Sequence, residues 1–463
     1  MSSVRERAKA VTPEPIKRVI RFFIHWYFFI KHVVSVRCEF CTVPLPWMKI
    51  YQGNDDVVKI HKLALVYIWN DATQPAVKWA FFLKGLIWPI LCIRPIWKFL
   101  GLFGSIAHHE YGISSLRQGM RMWKAAVIYG LQPEEYYKFR SFICGDISQA
   151  KFYIQHHEQV VLLREINRDI DMELLGDKLR FFRFCVQNEL PTITVYAVIR
   201  PEMDAEFTDP EVEATESLPA CDLFVKPLNL CRGIGSERFL YDSATKRWRN
   251  VDRSFTQDEL FTFLSTDGSG HTYLIQPCVK NHPEWGNLTS GALATVRVVT
   301  YRMHKKRPEC FAARIAIPAN RNCINDHDGY AVGVDVKSGL MTSMVLEFVC
   351  MPDGKPVSSL WPLQVHPDTG EDITDNKLFG WELLSDLCVK GHEKVPEMPF
   401  IGWDVTMAEE GPLIVEANSI WGHTSSQVSQ QTPLGQTPYP SCYFEYMEKA
   451  NIQISETTDC KRQ

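Results

Sequence analysis

Three polar side chains stand inside apolar runs late in the chain. In the stretch FIGWDVTMAEEGPLIVEANSIWG, residues 400–422, Asp404 interrupts one β-like run, and Glu416 and Asn418 interrupt the next. The cluster Glu409-Glu410-Gly411-Pro412 between the runs reads as the turn of a β-hairpin. With the turn centred near Glu410, Asp404 faces Glu416 across the ladder, and Asn418, two residues on, shares the face of Glu416. Opposed carboxylates repel, and burying them unpaired is costly. The spot is therefore either an edge hairpin whose acids face water or a place where a cation sits. A donor set of two carboxylates and an amide carbonyl suits Mg²⁺ or Mn²⁺ shared with a phosphate better than zinc.

A second group lies upstream, in DLFVKPLNLCRGIGSERFLYD. Lys226 ends an apolar strand, and a turn containing Gly233 and Gly235 leads into the next strand. Such a loop can fold over phosphates with its backbone N–H groups while the lysine neutralises their charge. It is neither a Walker loop, since no GK[ST] opens a helix, nor a dinucleotide fingerprint, since G-x-G-x-x-G is absent. A plain hairpin turn beside an exposed lysine is the other reading of the same residues. Arg297 and Arg314 fall in two successive strand-like runs.

The elements that must position these groups follow from periodicity. NDDVVKIHKLALVYIWN reads as a helix, as does LRQGMRMWKAAVIYGL, whose apolar residues recur at three and four spacing before Gly130. Lys178 opens a helical segment. After Gly176 short β-rich runs alternate with turns, from TITVYAVI through YLIQPCV, ATVRVVTYRM and CFAARIAI to the acidic hairpin. A capping box at Ser254 and Gln257 marks one helix in this region. The end, NIQISETTDCKRQ, reads as a polar tail.

At 463 residues, 46% hydrophobic and 22% charged, the chain is long enough for two or three globular domains. A net charge of -4 gives no global basic field for nucleic acid. The 14 cysteines form no zinc or disulfide framework: Cys38 and Cys41 have C-x-x-C spacing, but no second pair follows, and reduced, cytoplasmic thiols are expected. Two aromatic stretches, Val19–Val36 and Lys78–Gly104, are broken by basic residues and, in the second, by Pro89 and Pro95. Neither has the length of uninterrupted apolar chain that spans a bilayer, and neither closes on a signal-peptide cleavage site. Residues 19–104 are therefore expected either to lie against the inner face of a membrane or a glycan-assembly partner, or to pack on one another.

The order of these parts resembles the ATP-grasp fold over roughly residues 111–445. FVKPLNLCRGIGS, TVRVVTYR, AARIAIPANRNCIN and IGWDVTMAEEGPLIVEAN carry the resemblance, which is closest to the sugar-transfer-associated family related to α-L-glutamate ligases. It implies an α+β fold, two α/β lobes clasping ATP, preceded by a helical region. The expected division is an aromatic and basic region over 1–110, a helical lead-in over 111–170, the ATP-grasp domain over 171–450 and a tail over 451–463.

By the same resemblance, Lys178, Lys226 and the Gly233/Gly235 loop meet the ATP phosphates, and Gln276 and Val279 form the adenine hinge. Asp404, Glu416 and Asn418 hold Mg²⁺ (or Mn²⁺). Arg297 and Arg314 steady the transferred phosphoryl group, and Asn325 matches a substrate-side residue loosely. The implied activity is carboxylate–amine ligation through an acyl-phosphate. The alternatives are an ATP-grasp kinase and a nucleotide-binding scaffold without turnover, the latter suggested by the sparse glycine loop with Cys231-Arg232 ahead of it.

Overall fold

The computed structural model describes residues 39–460 except 231–232, 287, 290, 318–329, 347–359, 361–362 and 367–368, together with 26, 27, 29–31, 33 and 35. The expectations placed on Asn325, Cys231-Arg232, Cys38 and most of Val19–Val36 lie outside the described residues.

Helices dominate up to residue 187. Helix α1 (Asp56–Asp71) starts where the Asp55 carboxylate accepts the Val58 N–H at 3.0 Å, satisfying one of the donors that a helix start leaves unpaired. Helices α2 (Pro75–Leu86) and α3 (Ile93–Tyr111) are joined by a helical turn at Trp88–Leu91, and Pro89 and Pro95 both fall in first turns, where a missing N–H costs little. Helix α4 (Ser115–Tyr129) ends at Gly130, whose φ of 68° is the left-handed cap its periodicity predicts. Helices α5 (His156–Ile166) and α6 (Lys178–Gln187) complete this part, the latter capped by Asp177.

Two antiparallel sheets follow. The first has seven strands, β1 (Ala197–Ile199), β2 (Glu206–Phe207), β3 (Leu223–Pro227), β4 (Glu237–Asp242), β5 (Arg247–Arg249), β6 (Ser254–Phe255) and β7 (Tyr273–Pro277), in the order β2-β1-β7-β3-β4-β5-β6. The second has β8 (Thr295–Tyr301), β9 (Glu309–Ile317), β10 (Tyr330–Val334), β11 (Met341–Leu346), β12 (Phe400–Ala408) and β13 (Gly411–Asn418), in the order β11-β10-β9-β8-β12-β13. Helices α7 (Gln257–Ser265), α8 (Trp381–Glu393), α9 (His423–Gln430) and α10 (Tyr439–Cys460) are threaded between and after the strands.

Alternation assigns the two faces of the second sheet. Val296, Val298, Ala313, Ile315, Ile401, Trp403 and Val405 point to one core, under Trp381, Leu384 and Cys388 of α8. Val299, Tyr301, Phe311 and Phe400 point to the other, against Val57, Ile60 and Ala64 of α1 and Leu162 of α5. The helical region is thus packed on the face of the second sheet opposite α8. A buried ion pair, His61 Nδ1 to Glu158 Oε1 at 2.7 Å, joins α1 to α5 beneath it.

Two local readings change. The capping box of α7 is Thr256 with Glu259, two residues beyond the expected Ser254–Gln257 pair; Ser254 belongs to β6 instead. Both pairs satisfy the spacing, and the acidic partner also favours the positive helix start. The polar end is not a loose tail throughout, since α10 continues to Cys460 from an N-terminal turn buried at Tyr439, Cys442 and Tyr443.

Candidate active site

The β12–β13 hairpin carries the expected pairing, Asp404 opposite Glu416, by a route the sequence does not announce. From the turn, Ala408 pairs with Gly411 and Val405 with Ile414, a register that would set Asp404 against Val415. A bulge between Asp404 and Val405 leaves Val415 as the extra residue and brings Glu416 into line. Ile414 and Ala417 consequently share a core face although they are three apart, while Glu416 and Asn418 turn to the face of Asp404.

The same row continues across the sheet. Asp404 pairs with Arg297 on β8, Arg297 with Arg314 on β9, and Arg314 with Gly333 on β10. Gly333 lets this end close up: a Cβ there would lie 2.4 Å from Thr342 Oγ1 and 2.9 Å from the Ser429 carbonyl on α9. Four charged side chains therefore stand side by side on adjacent strands. Arg297 grips Asp404 with two hydrogen bonds, Nη2 to Oδ2 at 2.7 Å and Nε to Oδ1. Asn418 Nδ2 lies 3.5 Å from Asp404 Oδ2 and 3.4 Å from Glu416 Oε1.

Electrostatics separates the two acids. Burial pushes the Asp404 carboxyl upward, but the Arg297 guanidinium overrides it and holds the group below the usual carboxylate range. Glu416 is pushed up, first by burial and then by the Asp404 charge across the ladder, with which it shares a hydrogen bond. A buried carboxyl with a raised pKa, beside an acid held down by arginine and an amide oxygen, fits a hard divalent cation. No group of three or more His, Cys, Asp or Glu side chains converges among the described residues.

Glu416 and Asn418 open onto a cleft of about 110 Å³ between the sheets. Its far wall carries Lys226 from β3, Gln276 from β7 and Lys178 from the first turn of α6, with Phe181, Phe182 and Leu274 as an apolar wall. Burial pushes the Lys226 ammonium down to about 8; Glu416 opposes this and Lys178 adds to it. Gln276 is buried and donates to the Ile193 carbonyl at 3.3 Å. Lys178 Nζ donates to the carbonyls of Pro227 at 3.3 Å and Leu228 at 2.8 Å, and to that of Leu230, so it holds the base of the glycine loop.

That loop turns through Gly233 and Gly235 at φ of 69° and 71°, conformations a side chain resists. Neither glycine lines the cleft, and neither does Val279, which follows β7 half-buried.

The cleft is closed at its hinge by pairing that sequence reading missed. Thr192, ahead of β1, bridges to Ile414, with the Ile414 N–H donating to the Pro191 carbonyl at 2.9 Å and Thr192 Oγ1 to the Ile414 carbonyl at 2.8 Å. After β7, Asn281 bridges to Ala408 and the His282 N–H donates to the Met407 carbonyl at 2.8 Å. Both connections of the first sheet are thus stitched to the acidic hairpin. The only signal was the broken alternation of Leu413-Ile414-Val415, which marks a bulge but not its partner.

Two sheets clasping a cleft, with a lysine on one and a carboxylate row on the other, define an ATP-grasp fold preceded by a helical region. The chain belongs to the sugar-transfer associated ATP-grasp family, whose model matches residues 158–437. Members of the superfamily are ATP-dependent carboxylate–amine ligases that use divalent metal ions. No curated protein matches the chain.

Among solved structures it is similar to N5-carboxyaminoimidazole ribonucleotide synthetase from Thermotoga maritima, at 11% identity over 57% of this chain and 49% of that one with a TM-score of 0.26. L-amino acid ligase from Bacillus licheniformis gives 10% identity, 58% and 48% coverage and a TM-score of 0.31. D-alanine–D-alanine ligase from Bacillus anthracis complexed with ATP gives 11%, 61%, 67% and 0.29. The chain spans about half the length of the first two.

Proposed function

We propose that the protein is an ATP-dependent carboxylate–amine ligase working through an acyl-phosphate, with an amino acid or other carboxylate joined to an amino sugar or peptide amine. The observation that carries the reading is the row Arg314, Arg297, Asp404 and Glu416, whose end member Glu416 lines the cleft together with Lys226. A carboxylate is a poor acylating agent because oxide would have to leave, whereas phosphate leaves readily, so transfer of the ATP γ-phosphoryl group makes it reactive to an amine.

Each residue of the site has a part in that chemistry. Lys226 attracts phosphate, and the Phe181, Phe182 and Leu274 wall with Gln276 suits the flat apolar base and its polar edge. Asp404, Glu416 and Asn418 would hold Mg²⁺ (or Mn²⁺), which when bound neutralises charge on the phosphates. Because its pKa is raised, Glu416 would bind such an ion more weakly as pH falls. Arg297 fixes the Asp404 carboxylate, and the two guanidiniums side by side raise the local positive potential that an anionic phosphoryl or acyl-phosphate needs. Closure of the Gly233/Gly235 loop would exclude water from the intermediate, with Lys178 setting the loop's base. Positioning and electrostatics account for this chemistry without a side-chain nucleophile. The 171–450 segment is proposed as the catalytic unit, working in the cytoplasm.

The test is ADP release by the full chain with ATP, Mg²⁺ and pooled amino acids and amino sugars, beside Asp404→Asn and Glu416→Gln. Substrate-stimulated ADP that both variants lose supports turnover. A condensed product supports the ligase, a stable phosphorylated product would replace it by a kinase, and ATP binding with no ADP would leave a nucleotide-binding scaffold.

A further inference from the structure

Between residues 72 and 133 the sequence holds seven Lys and Arg against a single acid, Glu110, although the whole chain carries a net charge of -4. This basic segment is also where large apolar side chains face outward. Trp79, Phe82, Leu86, Ile90, Ile93 and Trp97 recur at three and four spacing along α2, the Trp88–Leu91 turn and α3, and they are 42–71% exposed.

Helix α4 widens the stripe. It packs beside α3, where Gln118 Nε2 donates to the Gly104 carbonyl at 3.0 Å and Trp123 Nε1 to the Pro89 carbonyl at 2.9 Å. Leu116, Met120 and Trp123 on α4 are 75%, 58% and 42% exposed. Lys78, Arg94, Lys98, Arg117 and Lys124 are exposed on the same helices. A contiguous face of this size on a folded chain marks a binding surface, and tryptophans with interspersed lysine and arginine are the composition of a headgroup layer contact.

The opposite side of the same helix rules out a spanning role. Trp88–Tyr111 is long and apolar enough to cross a bilayer by length and composition. Yet Trp88, Cys92, Ile96, Phe99, Phe103 and Ala107 are embedded with Met122, Ala125 and Tyr137 in the helical core. Leaving that core for lipid would unmake it, so only the outer face is available.

We propose that this face docks the protein, without crossing, on an anionic bilayer, the tryptophans and isoleucines entering the acyl boundary while the basic residues meet lipid phosphates and carboxylates. The inference is independent of the ligase chemistry.

Sedimentation of the full-length protein with phosphatidylcholine vesicles, with and without phosphatidylserine, tests it. Binding is expected to require phosphatidylserine and to weaken with salt. It should fall at least about tenfold in Ile90→Ser/Trp97→Ser and in Arg94→Glu/Lys98→Glu, both folded by circular dichroism and unchanged in nucleotide binding. Tryptophan fluorescence should be quenched by bromines shallow in the acyl chains and not by those at the bilayer centre. Three results would overturn the proposal: no binding to either vesicle; binding indifferent to both pairs of substitutions; or self-association in sedimentation velocity that the Ile90→Ser/Trp97→Ser variant abolishes, which would assign the face to a second copy.

Discussion

Arg297 and Asp404, 107 residues apart in sequence, are direct cross-strand neighbours on β8 and β12, joined by two hydrogen bonds in a buried row. The pair holds the Asp404 carboxyl below the usual carboxylate range where burial would raise it, while Glu416 across the ladder is pushed up.

Removing the cation of this pair should therefore cost more than a surface ion pair would. Arg297→Met leaves a buried carboxylate uncompensated, and a loss of roughly 3–5 kcal/mol in unfolding free energy is expected. Asp404 has a depressed pKa, so its stabilisation is present above the ordinary carboxylate range and fades as pH falls through the folded value; the variant should lose that acid sensitivity. Urea unfolding from pH 3 to 7 checks both, and equal acid sensitivity in the variant would separate Arg297 from the titration of Asp404.

Nucleotide binding should be bell-shaped in pH. Divalent-ion affinity falls as acid protonates Glu416 through its raised pKa, and ATP affinity falls as Lys226 loses its charge near pH 8. Glu416→Gln should remove the acid limb at the expense of metal affinity, and Lys226→Arg, charged throughout, should remove the alkaline limb. Calorimetry of Mg²⁺ and ATP binding between pH 5.5 and 9.5 reads both limbs; a profile unchanged by either substitution would detach the cleft from the nucleotide.

Part of this site was legible in the sequence for a physical reason, and part was not. The turn residues Glu409-Glu410-Gly411-Pro412 put the two acids on facing strands, so their approach could be read, although counting from the observed turn sets Asp404 against Val415. The bulge that completes the match could not, because an apolar triplet does not say which strand takes the extra residue. Nor could the Arg297–Asp404 pair, since the ordering of β8 beside β12 is decided by the packing of the whole sheet. Lys178, expected to meet a phosphate, lines the cleft, and its ammonium also holds carbonyls at the base of the glycine loop, which its sequence position does not announce. For the basic aromatic region the sequence left surface contact and mutual packing as alternatives, and both occur between Lys78 and Gly104, where one set of apolar residues builds a core and another faces outward.

Helices α1 and α5, which both pack on the second sheet, should be held to each other by His61 and Glu158. Burial acts downward on His61, but Glu158 overrides it and raises its pKa; burial acts upward on Glu158, and His61 lowers it. The His61 contribution is full below its ordinary pKa and is lost as pH rises through the raised one. The Glu158 contribution is present above the ordinary carboxylate range and is lost as pH falls through its lowered value. His61→Ala should cost roughly 3–5 kcal/mol near neutrality, and adding Glu158→Leu should recover part of it, since the orphaned charge is the larger penalty. Recovery will be incomplete because Glu158 also accepts the Gln155 N–H at 2.8 Å at the start of α5. A double-mutant cycle by thermal unfolding measures the coupling, and simple additivity would show that the pair does not join the two helices.

Two single-residue deletions in β13 separate facing from composition. Val415 is the residue left over at the bulge, so without it Glu416 follows Ile414 directly and a regular ladder still sets it against Asp404. Ala417 then keeps the core face and Asn418 the cleft face, because alternation resumes in the same phase. Deleting Val415 should therefore leave Mg²⁺-dependent ATP binding of the same order as in the parent chain. Deleting Ala417 removes no polar group of the row either, yet it shifts Asn418 by one position and turns its amide into the core, where an unpartnered polar group is costly. Metal affinity and Tm should both fall in that variant, while Glu416 stays opposite Asp404. Calorimetry of Mg²⁺ and ATP binding beside thermal unfolding reads the contrast. Binding lost with Val415 but kept without Ala417 would reverse the assigned facing of Glu416 and Asn418, and the metal site built on that facing would fail with it.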